Sequence, residues 1–162
     1  MQTKLNSGNT MTQSNYSKTY EVRWAGMDPN RHLRHSVYLD YATQTRVALF
    51  SDYGLPLDEI AKTGLGPILF REEIKYLREV NGREEVTVNS ELDRMYEDGS
   101  RWSFFHRMFK NGDTPVAELT VDGAWLDLET RKLGEPTEKM MEVMKQYPRS
   151  EDFRWIDSKK SS

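Results

Sequence analysis

The chain of 162 residues contains no cysteine and only three histidines. Without thiols it cannot form a disulfide framework, a thiolate zinc site or a cysteine nucleophile. No apolar run approaches the roughly 20 residues that span a bilayer, and the N-terminus lacks the apolar core of a signal peptide. A basic excess is also missing, because the formal net charge is -3, which argues against a nucleic-acid-binding protein. These absences favour a cytoplasmic protein that binds neither a membrane nor a nucleic acid.

The length fits a single domain. Residues 1–17 are rich in Ser, Thr, Asn and Gln, a composition that predicts disorder. Residues 18–147 carry the periodic apolar patterns and are expected to form the domain. Residues 148–162 are expected to be a polar C-terminal tail, of which a few apolar side chains dock on the body.

The first part of the domain changes from a strand pattern to a helix pattern. Residues 20–24 alternate with period two, which predicts a strand. From Ser36, a candidate N-cap, apolar residues recur at spacings of three and four, which predicts one long helix with a single apolar stripe. Gly54 is expected to end this helix, and a second short helix is expected over residues 57–62.

The rest of the domain has the pattern of an antiparallel meander. Strands are predicted over residues 68–80, 84–96, 101–110 and 115–128, because Asn-Gly or Asp-Gly hairpin signals separate them. A C-terminal helix is expected over residues 136–146, with a methionine-rich face that packs on the body. Large aromatic side chains are expected in the core: Trp24, Tyr38, Tyr41, Phe104 and Trp125.

One segment carries most of the functional information. Residues 26–38 read GMDPNRHLRHSVY, between the first strand and the helix. This segment resembles the pattern DxDxxGHVxxxxY of hotdog-fold acyl-CoA thioesterases, in the 4-hydroxybenzoyl-CoA thioesterase-like branch. Residues 73–78, 97–102 and 123–133 are similar to later strands of that branch, and the resemblance extends over about residues 18–146. It implies an α+β hotdog fold, in which a five-stranded antiparallel sheet wraps around a long central helix.

The segment departs from the family pattern at two positions. Gly26 stands where the first acid is usual, so no second carboxylate assists Asp28, the usual catalytic acid of this branch. Arg31 stands where a glycine is usual, and it adds bulk and charge to the loop.

The resemblance implies an acyl-CoA thioesterase that hydrolyses a coenzyme A thioester. Asp28 would act either as a general base on water or as a nucleophile. The backbone N–H of His35, seven residues later, would stabilise the oxyanion. No cofactor is expected, since coenzyme A is part of the substrate. A homodimer or homotetramer is expected, with the Asp loop of one chain meeting the sheet of another.

Further candidates surround this centre. The side chain of His35 is a catalytic candidate, as is Glu73, which alternation places on the opposite strand face from Glu72. The expected substrate-binding residues are Asn30, His32, Ser36, Tyr38 and Arg78. Cationic candidates for the phosphates of coenzyme A are Arg31, Arg34, Arg78, Arg101 and Arg107. No metal site is expected, because further ligands with suitable spacing are missing beside the two histidines.

Simpler interpretations stay open at these positions. Asp28 followed by Pro29 is also typical of a turn. A non-catalytic hotdog protein that binds an acyl group or an acyl carrier protein is the main alternative, and Gly26 and Arg31 favour it. A hotdog dehydratase would carry a different Asp and His pattern, which the sequence lacks. A protein of purely structural role is the remaining possibility.

Overall fold

The computed structural model describes residues 16–160. The disorder predicted for residues 1–17 therefore lies almost wholly outside the described residues, although Ser17 already belongs to the first strand. The helices are α1 (His35–Asp52), α2 (Leu57–Lys62) and α3 (Glu138–Met144), with short 3₁₀ turns at Trp24–Gly26 and Ser158–Lys160. The strands are β1 (Ser17–Glu21), β2 (Leu65–Tyr76), β3 (Glu85–Asn89), β4 (Glu91–Tyr96), β5 (Arg101–Lys110), β6 (Thr114–Asp127) and β7 (Arg149–Ile156).

One sheet contains all seven strands and is five positions wide. β2 pairs with β6, and β6 pairs with β5. β3 and β4 follow one another along the far side of β5, and β1 and β7 then lie beside β3 and β4. Every pairing is antiparallel except that of β4 with β7. The predicted α+β hotdog fold, with a long helix against an antiparallel sheet, is confirmed. The predicted number of five strands was wrong, because the sheet has seven. The hairpin predicted at Asn81-Gly82 was also wrong, because β2 pairs with β6 and β3 pairs with β1 and β5.

The predicted strand over residues 84–96 is two strands, β3 and β4. The break falls at Ser90, whose backbone N–H continues the pairing with β1 by donating to the Tyr16 carbonyl at 3.0 Å, while the carbonyl of Asn89 accepts from the His106 ring at 2.9 Å. A ring that takes up one backbone carbonyl leaves no trace in the side-chain alternation of residues 84–96, which is why the sequence suggests one continuous strand.

The chain after residue 148 is more ordered than the predicted polar tail. Residues Arg149–Ile156 form β7, which runs parallel to β4. The Arg149 guanidinium lies over the rings of Phe153 and Trp155, at 4.4 and 5.5 Å from their centroids. Backbone pairing and these cation–π contacts hold the strand. Neither depends on an alternating apolar pattern, so the polar sequence of this segment gave no strand signal.

The core lies between α1 and the sheet. The buried side chains of α1 include the predicted stripe, with Tyr38 and Tyr41 among them. Phe104 and Trp125 are buried from the sheet side as predicted, and Met140 and Met144 of α3 pack into the same core. The prediction for Trp24 was wrong, because its side chain is 91% exposed.

The core also encloses a polar pair. Arg46 of α1 and His106 of β5 are both buried, and Arg46 Nη1 lies 3.0 Å from His106 Nε2. His106 Nδ1 lies 2.9 Å from the Asn89 carbonyl, so Nδ1–H donates there and Nε2 accepts from the guanidinium. Burial lowers the pKa of His106 to about 3, and the positive charge of Arg46 acts in the same direction. The imidazole is therefore neutral in the folded protein.

Within residues 16–160, no helix is long and apolar enough to cross a membrane.

Candidate active site

The loop that contains Asp28 is a tight turn held by its own backbone. Met27 and Leu33 form an antiparallel bridge. The N–H of Asp28 donates to the His32 carbonyl at 2.8 Å, and the N–H of Arg31 donates to the Asp28 carbonyl at 3.0 Å. Arg31 closes the turn in the left-handed region, with φ of 64°. Local hydrogen bonds thus fix the shape of this loop, as the Asp-Pro pair predicts.

The two carboxylate oxygens of Asp28 have different surroundings. Oδ1 accepts the backbone N–H groups of Asn30 and His32, at 2.8 and 3.0 Å. Oδ2 accepts no hydrogen bond from residues 16–159. The carboxylate therefore has the structural role of a turn residue through one oxygen, while the other oxygen is free to accept a proton.

The Asp28 loop is anchored to the chain that follows β2. The N–H of Leu33 donates to the Val80 carbonyl at 2.7 Å, and His32 forms a bridge with Asn81. The His32 Nε2 atom lies 3.0 Å from Glu79 Oε2. These contacts join segments about fifty residues apart and hold the loop against the end of β2.

Helix α1 begins directly after this loop. Its first residue is His35, and its N-cap is Arg34, which makes no side-chain capping hydrogen bond. Ser36 is therefore not the N-cap; its Oγ instead accepts from Arg34 Nε at 2.9 Å. The backbone N–H of His35 has no acceptor among residues 16–160, as expected for an uncapped first turn.

Asp28 and the start of α1 border one groove of about 390 Å³. The ring of Tyr38 meets that of Tyr76 edge-on, with centroids 5.3 Å apart. The Tyr76 hydroxyl donates to the His35 carbonyl at 3.4 Å, and Arg78 Nη1 donates to the Pro115 carbonyl at 2.9 Å. Burial raises the pKa of Tyr38 to about 12, so this hydroxyl stays protonated at neutral pH.

The groove contains five of the eight catalytic and substrate-binding candidates named from the sequence, and of the five cationic candidates it contains only Arg78. The residues that line it are Asp28, His32, His35, Tyr38 and Arg78. The side chains of Asn30 and Ser36 do not line it. Sequence reasoning did not select Tyr76, although it lies in the segment of residues 73–78 that resembles the family. Nothing in the sequence alone indicates that the end of β2 meets the Asp28 loop.

The two adjacent glutamates of β2 face opposite sides of the sheet, as alternation predicts. Glu73 lies opposite Thr120 on the outer face and forms an ion pair with Arg71. Glu72 lies opposite the buried Val121, on the helix side. Burial lowers the pKa of Arg46 to about 10, and the charge of Glu72 opposes that shift. Within one chain, Glu73 does not reach the Asp28 groove.

Asp28 also borders a second and larger opening, of about 950 Å³. The exposed Trp24 stands at this opening, which we call the Trp24 cleft. Its lining residues are Trp24, Ala25, Met27, Asp28, Pro29, Arg31, Asn81, Gly82 and Arg83. The groove and the Trp24 cleft thus share Asp28 but no other residue.

The chain is similar to known proteins in both sequence and fold. Residues 22–145 match the family model of the thioesterase-like superfamily. A hypothetical protein from Staphylococcus aureus in complex with CoA is similar in structure, with a TM-score of 0.78 and 20% identity over 86% of this chain and 87% of that chain. A 1,4-dihydroxy-2-naphthoyl-CoA thioesterase from Synechocystis has a TM-score of 0.72 and 14% identity, over 80% of this chain and 95% of that chain.

A DHNA-CoA thioesterase from Staphylococcus aureus has a TM-score of 0.75 and 16% identity, over 82% of this chain and 89% of that chain. At these identities the likeness concerns the fold. A search of curated proteins gave no match.

Proposed function

Because the chain belongs to the thioesterase-like superfamily, we propose that it hydrolyses an acyl-CoA thioester to a free acid and coenzyme A. One observation carries this proposal. The groove places a carboxylate with one free oxygen beside the first turn of a helix whose leading N–H is also free. A base and an oxyanion donor are the two groups that thioester hydrolysis requires.

In the general-base route, Asp28 Oδ2 removes a proton from water as the water oxygen attacks the thioester carbon. The carbonyl π electrons move onto oxygen, and the His35 N–H donates to the resulting oxyanion. When the tetrahedral intermediate collapses, the carbon–sulfur bond breaks, and the leaving thiolate takes the proton from Asp28. The positive end of the α1 dipole favours the same negative charge.

In the alternative route, Asp28 Oδ2 attacks the thioester carbon itself and forms a mixed anhydride, which water then hydrolyses. The hydrogen bonds that hold Oδ1 orient Oδ2 equally well for both routes. In either route, removal of one oxyanion donor would lower the rate by about 10²–10³.

The other candidates fit the same scheme. Tyr38 and Tyr76 offer an apolar wall for the pantetheine arm, and Arg78 offers a cation toward the phosphates. The His35 side chain, at the start of α1, would contact the thioester or the leaving sulfur. His32, Asn30 and Ser36 would act at the rim of the groove.

A homodimer would explain the exposed edge of β2, and a tetramer could be built from two such dimers. Within the described chain β2 pairs only with β6, and four apolar side chains are exposed at or just after this strand: Leu69, Phe70, Tyr76 and Leu77. An unpaired edge of twelve residues with exposed apolar side chains favours pairing with a second chain. Such pairing is how the Glu73 of one chain would come near the Asp28 groove of another.

The decisive experiment is thiol release from a panel of short, long and aromatic acyl-CoAs by the wild type and by Asp28→Asn. Asparagine keeps an oxygen that can accept the N–H groups of Asn30 and His32, so the turn should survive while the base is lost. We expect kcat/KM to fall by at least about 10². Asp113→Asn, in an exposed turn of another hairpin, is the matched control and should keep full activity.

The outcome that would reject this mechanism is a folded Asp28→Asn protein with more than about a tenth of the wild-type rate. Circular dichroism and the melting temperature establish that the variant is folded. If the wild type binds acyl-CoA but hydrolyses none of the panel, the second candidate, a non-catalytic acyl-binding protein, is correct. Gly26, which removes a second acid, is the observation that favours this candidate.

A further inference from the structure

Asp28 is the point where the groove and the Trp24 cleft meet. A thioester has two arms, the acyl group and the pantetheine arm, and both leave from the carbon that Asp28 must reach. Two openings on either side of one carboxylate therefore suit the two arms. The groove, with its tyrosines and the start of α1, suits the amide-containing pantetheine arm, which leaves the Trp24 cleft for the acyl group.

The Trp24 cleft combines an apolar lining with unpaired positive charge. Trp24, Met27 and Pro29 provide the apolar part. Arg31 and Arg83 provide two guanidinium groups, neither of which makes an ion pair or a side-chain hydrogen bond with any of residues 16–159.

Neighbouring acids do not neutralise these arginines. Glu79 pairs with His32, and Glu84 pairs with Lys110 and accepts the backbone N–H of Asn81. The remaining negative charge at the cleft is that of Asp28, which the reaction itself uses.

The backbone at Arg31 gives independent support. Its φ of 64° lies in the left-handed region, which is sterically unfavourable for a residue with a Cβ relative to right-handed backbone. Glycine would avoid that cost. An arginine at this position places a long cationic side chain at the cleft, where the fold itself would favour glycine.

We propose that the Trp24 cleft binds an acyl group with an apolar body and a terminal carboxylate, so that the substrate is the half-thioester of a dicarboxylic acid. This inference rests on the proposed thioesterase function. Trp24 would cover the apolar part of the chain, and Arg31 and Arg83 would hold the carboxylate through charge-assisted hydrogen bonds.

Binding of non-hydrolysable CoA thioethers tests this inference without any need for turnover. Two ligands of equal chain length are compared by calorimetry, one ending in a carboxylate and one in a methyl group. We expect the carboxylate ligand to bind about tenfold tighter, which corresponds to about 1.4 kcal/mol. Arg83→Gln and Arg31→Gln should each remove most of this preference, whereas Trp24→Ala should weaken both ligands alike. Arg154→Gln, an exposed arginine of β7 away from the cleft, is the control and should change neither affinity.

The phosphates of coenzyme A are the other possible source of negative charge. The same two chains on N-acetylcysteamine, which has no phosphate, distinguish the sources. A preference for the carboxylate that persists on this carrier supports the inference. A loss of affinity in Arg83→Gln that is equal for both chains on CoA and absent on N-acetylcysteamine would assign the arginines to phosphate and overturn it.

The absence of any carboxylate preference in the wild type would also overturn the inference. If neutral acyl-CoAs are hydrolysed in an Asp28-dependent manner in that case, the thioesterase proposal stands and only the acyl assignment fails. If the wild type prefers the carboxylate ligand but hydrolyses no acyl-CoA, the acyl assignment stands and the thioesterase proposal fails.

Discussion

Stability should fall between pH 8 and pH 5 because His106 is buried as a neutral imidazole. Its pKa is about 3 in the folded protein, against 6.5 for an ordinary histidine. Below pH 6.5 the unfolded chain binds a proton that the folded protein does not bind, so the free energy of unfolding decreases as the pH falls. Above pH 6.5 the contribution of this group is constant.

The size of the effect follows from the interval between pH 6.5 and pH 5. Each pH unit over which only the unfolded state is protonated lowers stability by about 1.36 kcal/mol, so the loss at pH 5 is about 2 kcal/mol. His106 is completely buried, so solvent screening does not reduce this value. The carboxylates whose pKa is lowered, such as Asp98 and Asp127, contribute mainly at lower pH.

Urea denaturation at pH 8, 6.5 and 5, at one fixed protein concentration, measures this loss. His106→Gln is the matched control, because glutamine can accept from Arg46 but does not titrate in this range. We expect the wild type to lose about 2 kcal/mol more than the variant between pH 8 and pH 5. Equal losses in the two proteins would refute the assignment of a neutral, proton-excluding His106.

Three further substitutions test the packing. His106→Leu should lower the free energy of unfolding by about 3 kcal/mol, because it leaves Nη1 of the buried Arg46 without an acceptor and only Nη2 bonded, to Thr43; adding Arg46→Met should restore more than half of that loss in the same urea assay, and no recovery would contradict the pairing. Gly123→Ala should lower it by about 1–3 kcal/mol, since a Cβ there would overlap both the ring of Trp102 and the backbone carbonyl oxygen of Ile68; an unchanged midpoint would show that both neighbours can move. Thr137→Ala should cost about 1 kcal/mol, because the hydroxyl caps α3, and thermal melting should show the shift.

Much of the fold could be predicted because its signals are local. The spacing of apolar residues identified α1, and the turns at Asp98-Gly99 and Asn111-Gly112 are present with the positive φ values that such turns require. The break between β3 and β4 could not be predicted, since it lies where the Asn89 carbonyl meets the His106 ring, a contact between residues 17 positions apart that no local pattern reveals.

The candidate site also has one part that the sequence predicted and another that it did not. Asp28 and the start of α1 lie close together in sequence, so their relation was accessible through the resemblance. Tyr76, at the end of β2, and Glu79 join them only through tertiary contacts between the Asp28 loop and this part of the chain, which a single sequence does not encode in readable form. The exposure of Trp24 was also hidden, because one aromatic residue in a loop belongs to no periodic pattern.

The position of β7 determines where this protein can be safely shortened. The family model matches residues 22–145, so a protein trimmed to those limits would lose both β1 and β7. These two strands cover the same border of the sheet, along β3 and β4. Their removal would leave a continuous row of unpaired backbone groups on strands rich in buried Val, Leu and Met, which is a template for aggregation. Expression of the protein in usable form therefore depends on keeping residues that homology alone would discard.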